Sequence, residues 1–133
     1  MLEAVIFDMD GTLIDSEPIW RIAEIAGFEK VGIAVTKEML ANHTAGMRND
    51  EVVKYWFNYF QKENDSEAKM VQTTILNKVK ELIKLDGKKR ALPGIDYIFN
   101  FFEEKNIPMA LASSSPADII EVTLDAIGIN QKF

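Results

Sequence analysis

The chain has 133 residues, no cysteine, a hydrophobic fraction of 47% and a formal net charge of −6. These values fit one ordinary domain or a smaller core carrying an insertion, and they exclude disulfides, thiolate metal sites and a chain disordered throughout. The acidic balance argues against binding nucleic acid through the whole surface, yet a metal ion and a few cationic groups can still hold a small anion locally.

Met1 to Phe7 is apolar but stops at Asp8 and Asp10, far short of a signal peptide or a membrane span. A soluble cytoplasmic protein with no membrane partner is therefore expected. Within that run Ala4-Val5-Ile6-Phe7 suits a strand buried on both faces. From Glu17 the pattern turns helical, with Pro18 fit for the first turn and Ile19, Ile22, Ala23 and Ala26 on one face. Gly27 weakens that helix, and Gly32 follows its end.

Thr36 reads as the cap of a short helix ending near Asn42, and Thr44 to Arg48 as a loop around Gly46. Asn49 then caps a helix carrying Val52, Val53, Trp56, Phe57 and Phe60. Ser66 caps a long helix through Leu85, with Ala68, Val71, Ile75, Val79, Leu82 and Ile83 on its apolar face and Gly87 just beyond. The run Lys88-Lys89-Arg90 makes a solvated connection. Leu92-Pro93-Gly94 opens an aromatic-rich helix from Ile95 to about Lys105, and Pro108 to Ala112 is a second buried-strand candidate. It leads through Ser113-Ser114-Ser115-Pro116 into a helix closed by Gly128, with Ser115 as its N-cap and Pro116 in its first turn. The aromatic clusters Tyr55 to Phe60 and Tyr97 to Phe102 are expected in the core, and His43, the only histidine, on a polar surface.

Strands flanking helices indicate an α/β fold, and the strandless block from Asp15 to Ala91 reads as an inserted helical domain. Two strands cannot make a stable doubly wound sheet, so the chain is expected to be truncated after Phe133.

The chemistry concentrates where the first strand ends. Residues i and i+2 of an extended segment project to one side, so Asp8 and Asp10 can address one site. That site would lie at the C-terminal edge of a parallel sheet, where such folds bind ligands. Two close carboxylates favour a bound cation or a shared proton, and Mg²⁺ accepts one or two carboxylates with water and phosphate oxygens. Gly11 permits the tight turn that follows, and Thr12 can steady it. An Asp-Gly pair alone is most simply a solvated turn. An apolar strand running into Asp8-Met9-Asp10-Gly11-Thr12-Leu13 is expected by chance in only about one such chain in a thousand at ordinary residue usage. At the second strand end, Ser113 and the main-chain N–H groups after it can form a phosphate cradle, alongside plain helix capping. Arg48, in the Gly46-Met47-Arg48 turn, is either a surface arginine or a group that meets substrate oxygens.

The segment Phe7-Asp8-Met9-Asp10-Gly11-Thr12-Leu13-Ile14-Asp15-Ser16-Glu17-Pro18 resembles the haloacid dehalogenase-like phosphatase superfamily, in its β-phosphoglucomutase-like and sugar-phosphate phosphatase branch. The resemblance implies a partial Rossmann-like core from residues 1–14 and 92–133, with a four-helix cap at 15–91 closing over the site. It implies that Asp8 is the nucleophile of an aspartyl-phosphate intermediate, and that Asp10 protonates the leaving oxygen and later activates water. Mg²⁺ would bind the Asp8 carboxylate and the Asp10 main-chain carbonyl. Ser113 and Ser114 would hold phosphate, and Arg48 would reach substrate from the cap. The expected partner is a small phosphorylated metabolite such as a sugar phosphate; the oligomeric state stays open.

Trp20 stands where phosphoglucomutases of this branch typically carry histidine, which favours the phosphatases, with a phosphohexomutase as the alternative and a non-catalytic fragment or pseudo-enzyme as a third reading. A phosphorylated signalling receiver, which also carries Asp pairs and Mg²⁺, is disfavoured by the long helical insertion. The family's later lysine and acidic motifs have no match before Phe133, so these residues alone are expected to be weakly active or inactive.

Overall fold

The computed structural model describes residues 1–133 and is a mixed α/β structure with a small parallel sheet. In chain order its elements are β1 (Val5–Phe7), α1 (Glu17–Glu29), α2 (Lys37–His43), α3 (Asn49–Tyr59), α4 (Asp65–Asp86), α5 (Ile95–Glu104), β2 (Met109–Leu111) and α6 (Ala117–Ile127). A 3-10 turn at Gly87–Arg90 follows α4. The chain divides into a core unit, Met1–Glu17 with Leu82–Phe133, and a helical unit, Pro18–Glu81.

In the core unit β1 and β2 pair in parallel, with Val5 opposite Met109 and Phe7 opposite Leu111. The Phe7 ring lies 4.9 Å from Phe99 and 6.2 Å from Phe102, so α5 covers the face that carries Val5 and Phe7. The other face is open: Ile6 is 71% exposed, contrary to the expectation of a strand buried on both faces. A two-stranded sheet with one helix over one face gives Ile6 nothing to pack against.

Two backbone segments brace the unit. Asp15 N–H donates to Arg90 O at 2.8 Å, and Leu92 N–H donates to Leu13 O at 3.0 Å, around an antiparallel bridge between Ile14 and Ala91. Arg90 also donates from Nε to Asp86 at 2.9 Å, while Lys88 and Lys89 remain exposed.

The helical unit buries Ile19, Phe28, Leu40, Val53, Trp56, Val71, Ile75 and Val79 along the apolar stripes of its helices. Thr36 caps α2 as expected, accepting from Met39 N–H at 3.1 Å. Other caps sit elsewhere than anticipated. Arg48 is the N-cap of α3, and Asn49 is its first residue, whose Nδ2 donates to Gln72 O at 3.1 Å. Asn64, not Ser66, accepts from a first-turn N–H of α4, that of Glu67, at 3.0 Å.

Gly27 does more than weaken α1. A Cβ there would stand 2.6 Å from Ile75 Cγ1, so the glycine sets the close approach of α1 to α4. The aromatic clusters are split. Trp56, Phe57, Phe99 and Phe102 are buried, whereas Tyr59, Phe60, Tyr97 and Phe101 are exposed, because each run winds around a helix and only one face meets the core.

Candidate active site

The loop after β1 is shaped by one inward side chain. Met9 is fully buried, whereas its neighbours Asp8 and Asp10 are exposed and half-buried respectively. The Met9 carbonyl accepts N–H groups of Thr12 at 3.2 Å and Leu13 at 2.8 Å. Gly11 N–H closes the turn on Ile14 O at 2.8 Å, with Gly11 at φ +79°, a conformation that glycine adopts without a Cβ clash. Leu13 and Ile14 then sink into the core, anchoring the turn.

The register of the sheet brings the second loop alongside. Ala112 N–H donates to Phe7 O at 2.8 Å, so the residues following Phe7 and those following Leu111 leave the same sheet edge together. Ser115 Oγ donates to Asp10 Oδ2 at 3.1 Å across that edge. Ser115 N–H donates to Ser113 Oγ at 3.1 Å. On the other side Ser16 Oγ donates to Asp10 Oδ1 at 2.5 Å, and Ser16 itself is 1% exposed. Both oxygens of Asp10 are thus held by hydroxyls, while Asp8 is exposed and stands outside this network.

Ser115 was expected to cap the last helix, and the structure corrects this. Pro116 is the N-cap of α6, with no side-chain hydrogen bond to the helix, and the Ser115 hydroxyl goes to Asp10 instead. The reading of the sequence missed Ser16 and Ser115 as partners of Asp10. The signal available for both was a small hydroxyl residue flanking a buried turn next to a carboxylate, which is weak without the tertiary pairing. Ser114 is exposed in the same loop as Ser113. Arg48 lies in the helical unit, where it is 57% exposed and meets Asp50 and Glu51, each at 3.3 Å.

The oxygens assigned to a cation suit a hard metal. No group of three or more His, Cys, Asp or Glu side chains comes together in the chain, so a cation here would take most of its ligands from water and substrate. Mg²⁺, which retains several waters, fits such a set.

Comparison with known proteins covers both loops. The chain is 30% identical over 130 residues to hexitol phosphatase B of Escherichia coli K12, covering 98% of this chain and 57% of that protein. It is 32% identical over 124 residues to a phosphorylated carbohydrates phosphatase of Thermotoga maritima, covering 86% and 51% respectively. The crystal structure of β-phosphoglucomutase from Clostridium difficile matches with a TM-score of 0.85 at 26% identity, over 100% of this chain and 60% of that one. The chain therefore spans between half and three-fifths of the length of these relatives. The family described as haloacid dehalogenase-like hydrolase matches residues 5–133, and the chain belongs to it.

Proposed function

We propose that the chain carries the nucleophile and acid/base of a Mg²⁺-dependent phosphatase acting on a small phosphorylated sugar or polyol. The observation that carries this reading is the pairing across the sheet edge. One strand end presents Asp8 and Asp10 with Met9 buried between them, and the other presents Ser115 at 3.1 Å from Asp10 with Ser113 beside it. Two carboxylates with distinct surroundings suit two roles. Asp8, exposed, attacks phosphorus and forms an aspartyl-phosphate as the P–O bond to the alcohol breaks. Asp10, held by hydroxyls, delivers a proton to the departing oxygen and then takes one from the water that cleaves the acyl phosphate.

When bound at Asp8 and the Asp10 carbonyl, Mg²⁺ offsets the charge between carboxylate and phosphate. Ser113 and the Ser114 region contact the phosphate oxygens. In this reading residues 15–91 form a cap, and Arg48 meets the substrate from it. The relatives named for hexitol phosphate and phosphorylated carbohydrates support the substrate class.

Phosphate release from a panel of hexitol and hexose phosphates by the full gene product, with and without Mg²⁺, tests the proposal. Mg²⁺-dependent release that Asp8→Asn abolishes is expected; unchanged release in that variant refutes the nucleophile. The likeness to β-phosphoglucomutase supports a second reading, a phosphohexomutase using the same aspartyl-phosphate. Isomer formation in place of phosphate release from β-glucose 1-phosphate would select it.

A further inference from the structure

We infer that Ser115 is a positioning residue for Asp10, acting through its side-chain hydroxyl; the inference rests on the reading of Asp10 as the acid/base. Asp10 follows β1 and Ser115 follows β2, 105 residues later, and the 3.1 Å hydrogen bond joins the two loops. A carboxylate free to rotate presents its oxygens in many directions. With Ser16 donating to Oδ1 and Ser115 to Oδ2, the plane of the Asp10 carboxylate is set from two sides. One of those sides is the loop that also carries Ser113.

Two observations separate this role from ordinary helix capping. The N-cap position of α6 belongs to Pro116, and the Ser115 hydroxyl donates to Asp10. The main-chain N–H of Ser115 makes a separate contact, to Ser113 Oγ at 3.1 Å. Ser115→Ala therefore removes the hydroxyl from Asp10 while keeping the N–H on Ser113, and it leaves the helix start with the groups it already uses. The phosphate-side and acid/base-side functions of one residue are thereby separable.

The test is a double-mutant cycle on the full gene product, using a hexitol phosphate and Mg²⁺. Misorienting a general acid/base costs rate rather than binding, so Ser115→Ala is expected to lower kcat about 10- to 100-fold with KM nearly unchanged. Ser115→Thr, which restores a hydroxyl, is expected to recover most of that loss. In an Asp10→Asn background, Ser115→Ala is expected to add no further loss. An unchanged kcat in Ser115→Ala overturns the assignment, as does a rise in KM alone, which would make Ser115 a substrate contact. A loss in Ser115→Thr equal to that in Ser115→Ala, or fully multiplicative losses with Asp10→Asn, overturns it as well. If wild-type protein releases no phosphate, the phosphatase reading falls and this assignment with it. Wild-type release that is lost in Asp10→Asn but intact in Ser115→Ala removes the assignment alone.

Discussion

In the helical unit the large side chains Trp56, Phe28, Leu40 and Ile75 are fully buried, and Trp56 even places its indole N–H on Thr44 Oγ1 at 3.1 Å. The core unit has a sheet of two three-residue strands, one face of which leaves Ile6 exposed. Its candidate site is defined by hydrogen bonds instead: the Met9 carbonyl gathering the turn, and Ser16 and Ser115 on Asp10. The contrast separates two physical problems. The helical unit rests on matched apolar surfaces, where a change of volume is felt as stability. At the site a few polar groups must hold direction, where a small displacement is felt as rate.

Four substitutions probe the two units separately. The largest effect is expected for Asp8→Asn, which should lower phosphate release at least about a thousandfold while leaving the thermal melt unchanged, because Asp8 is exposed and supports no packing. A large drop in melting temperature for that variant would show that the site does carry stability.

Next is Glu24→Ala in the helical unit. Glu24 is 2% exposed and ion-paired with Arg21 one turn earlier on α1. Its removal takes one carboxylate from the buried Arg21, a loss of about 1.5–3 kcal/mol for a charged hydrogen bond, readable by chemical denaturation. A smaller effect is expected for Gly27→Ala. The added Cβ overlaps Ile75 Cγ1, and overpacking of about 1–3 kcal/mol is partly offset by a helix-propensity gain of about 1 kcal/mol. A stabilised Gly27→Ala protein would mean that α1 and α4 can separate freely.

The smallest stability effect should come from Arg48→Ala, since exposed ion pairs contribute about 0–1 kcal/mol. If Arg48 meets substrate, the same variant should raise KM for a hexitol phosphate severalfold. Unchanged kinetics would leave Arg48 as a surface group paired to Asp50 and Glu51.

Much of the fold was legible in the chain because its signals are local. Helical spacing, the Thr36 cap and the glycines after helix ends placed the helices to within a residue or two. What was not legible depends on partners far away in sequence. Ser115 satisfies every local rule for a helix cap, yet a carboxylate 105 residues earlier takes its hydroxyl. Gly27 reads as a weak point in a helix until Ile75 is placed against it. An apolar run such as Val5-Ile6-Phe7 states that the segment avoids water without stating how many of its faces are covered. At the site, alternation along the first strand suggested Asp8 and Asp10 as candidates, whereas the hydroxyl of Ser115 meets Asp10 only through the pairing of β1 with β2.

The proposed nucleophile is a carboxylate oxygen of Asp8, which would take the phosphoryl group. The full gene product can be mixed with a ³²P-labelled hexitol phosphate and Mg²⁺, acid-quenched within the first turnovers, and mapped by peptide mass spectrometry. Label is expected on the peptide containing Asp8 and is lost in Asp8→Asn. Label on another residue, or phosphate release by Asp8→Asn at the wild-type rate, would contradict it.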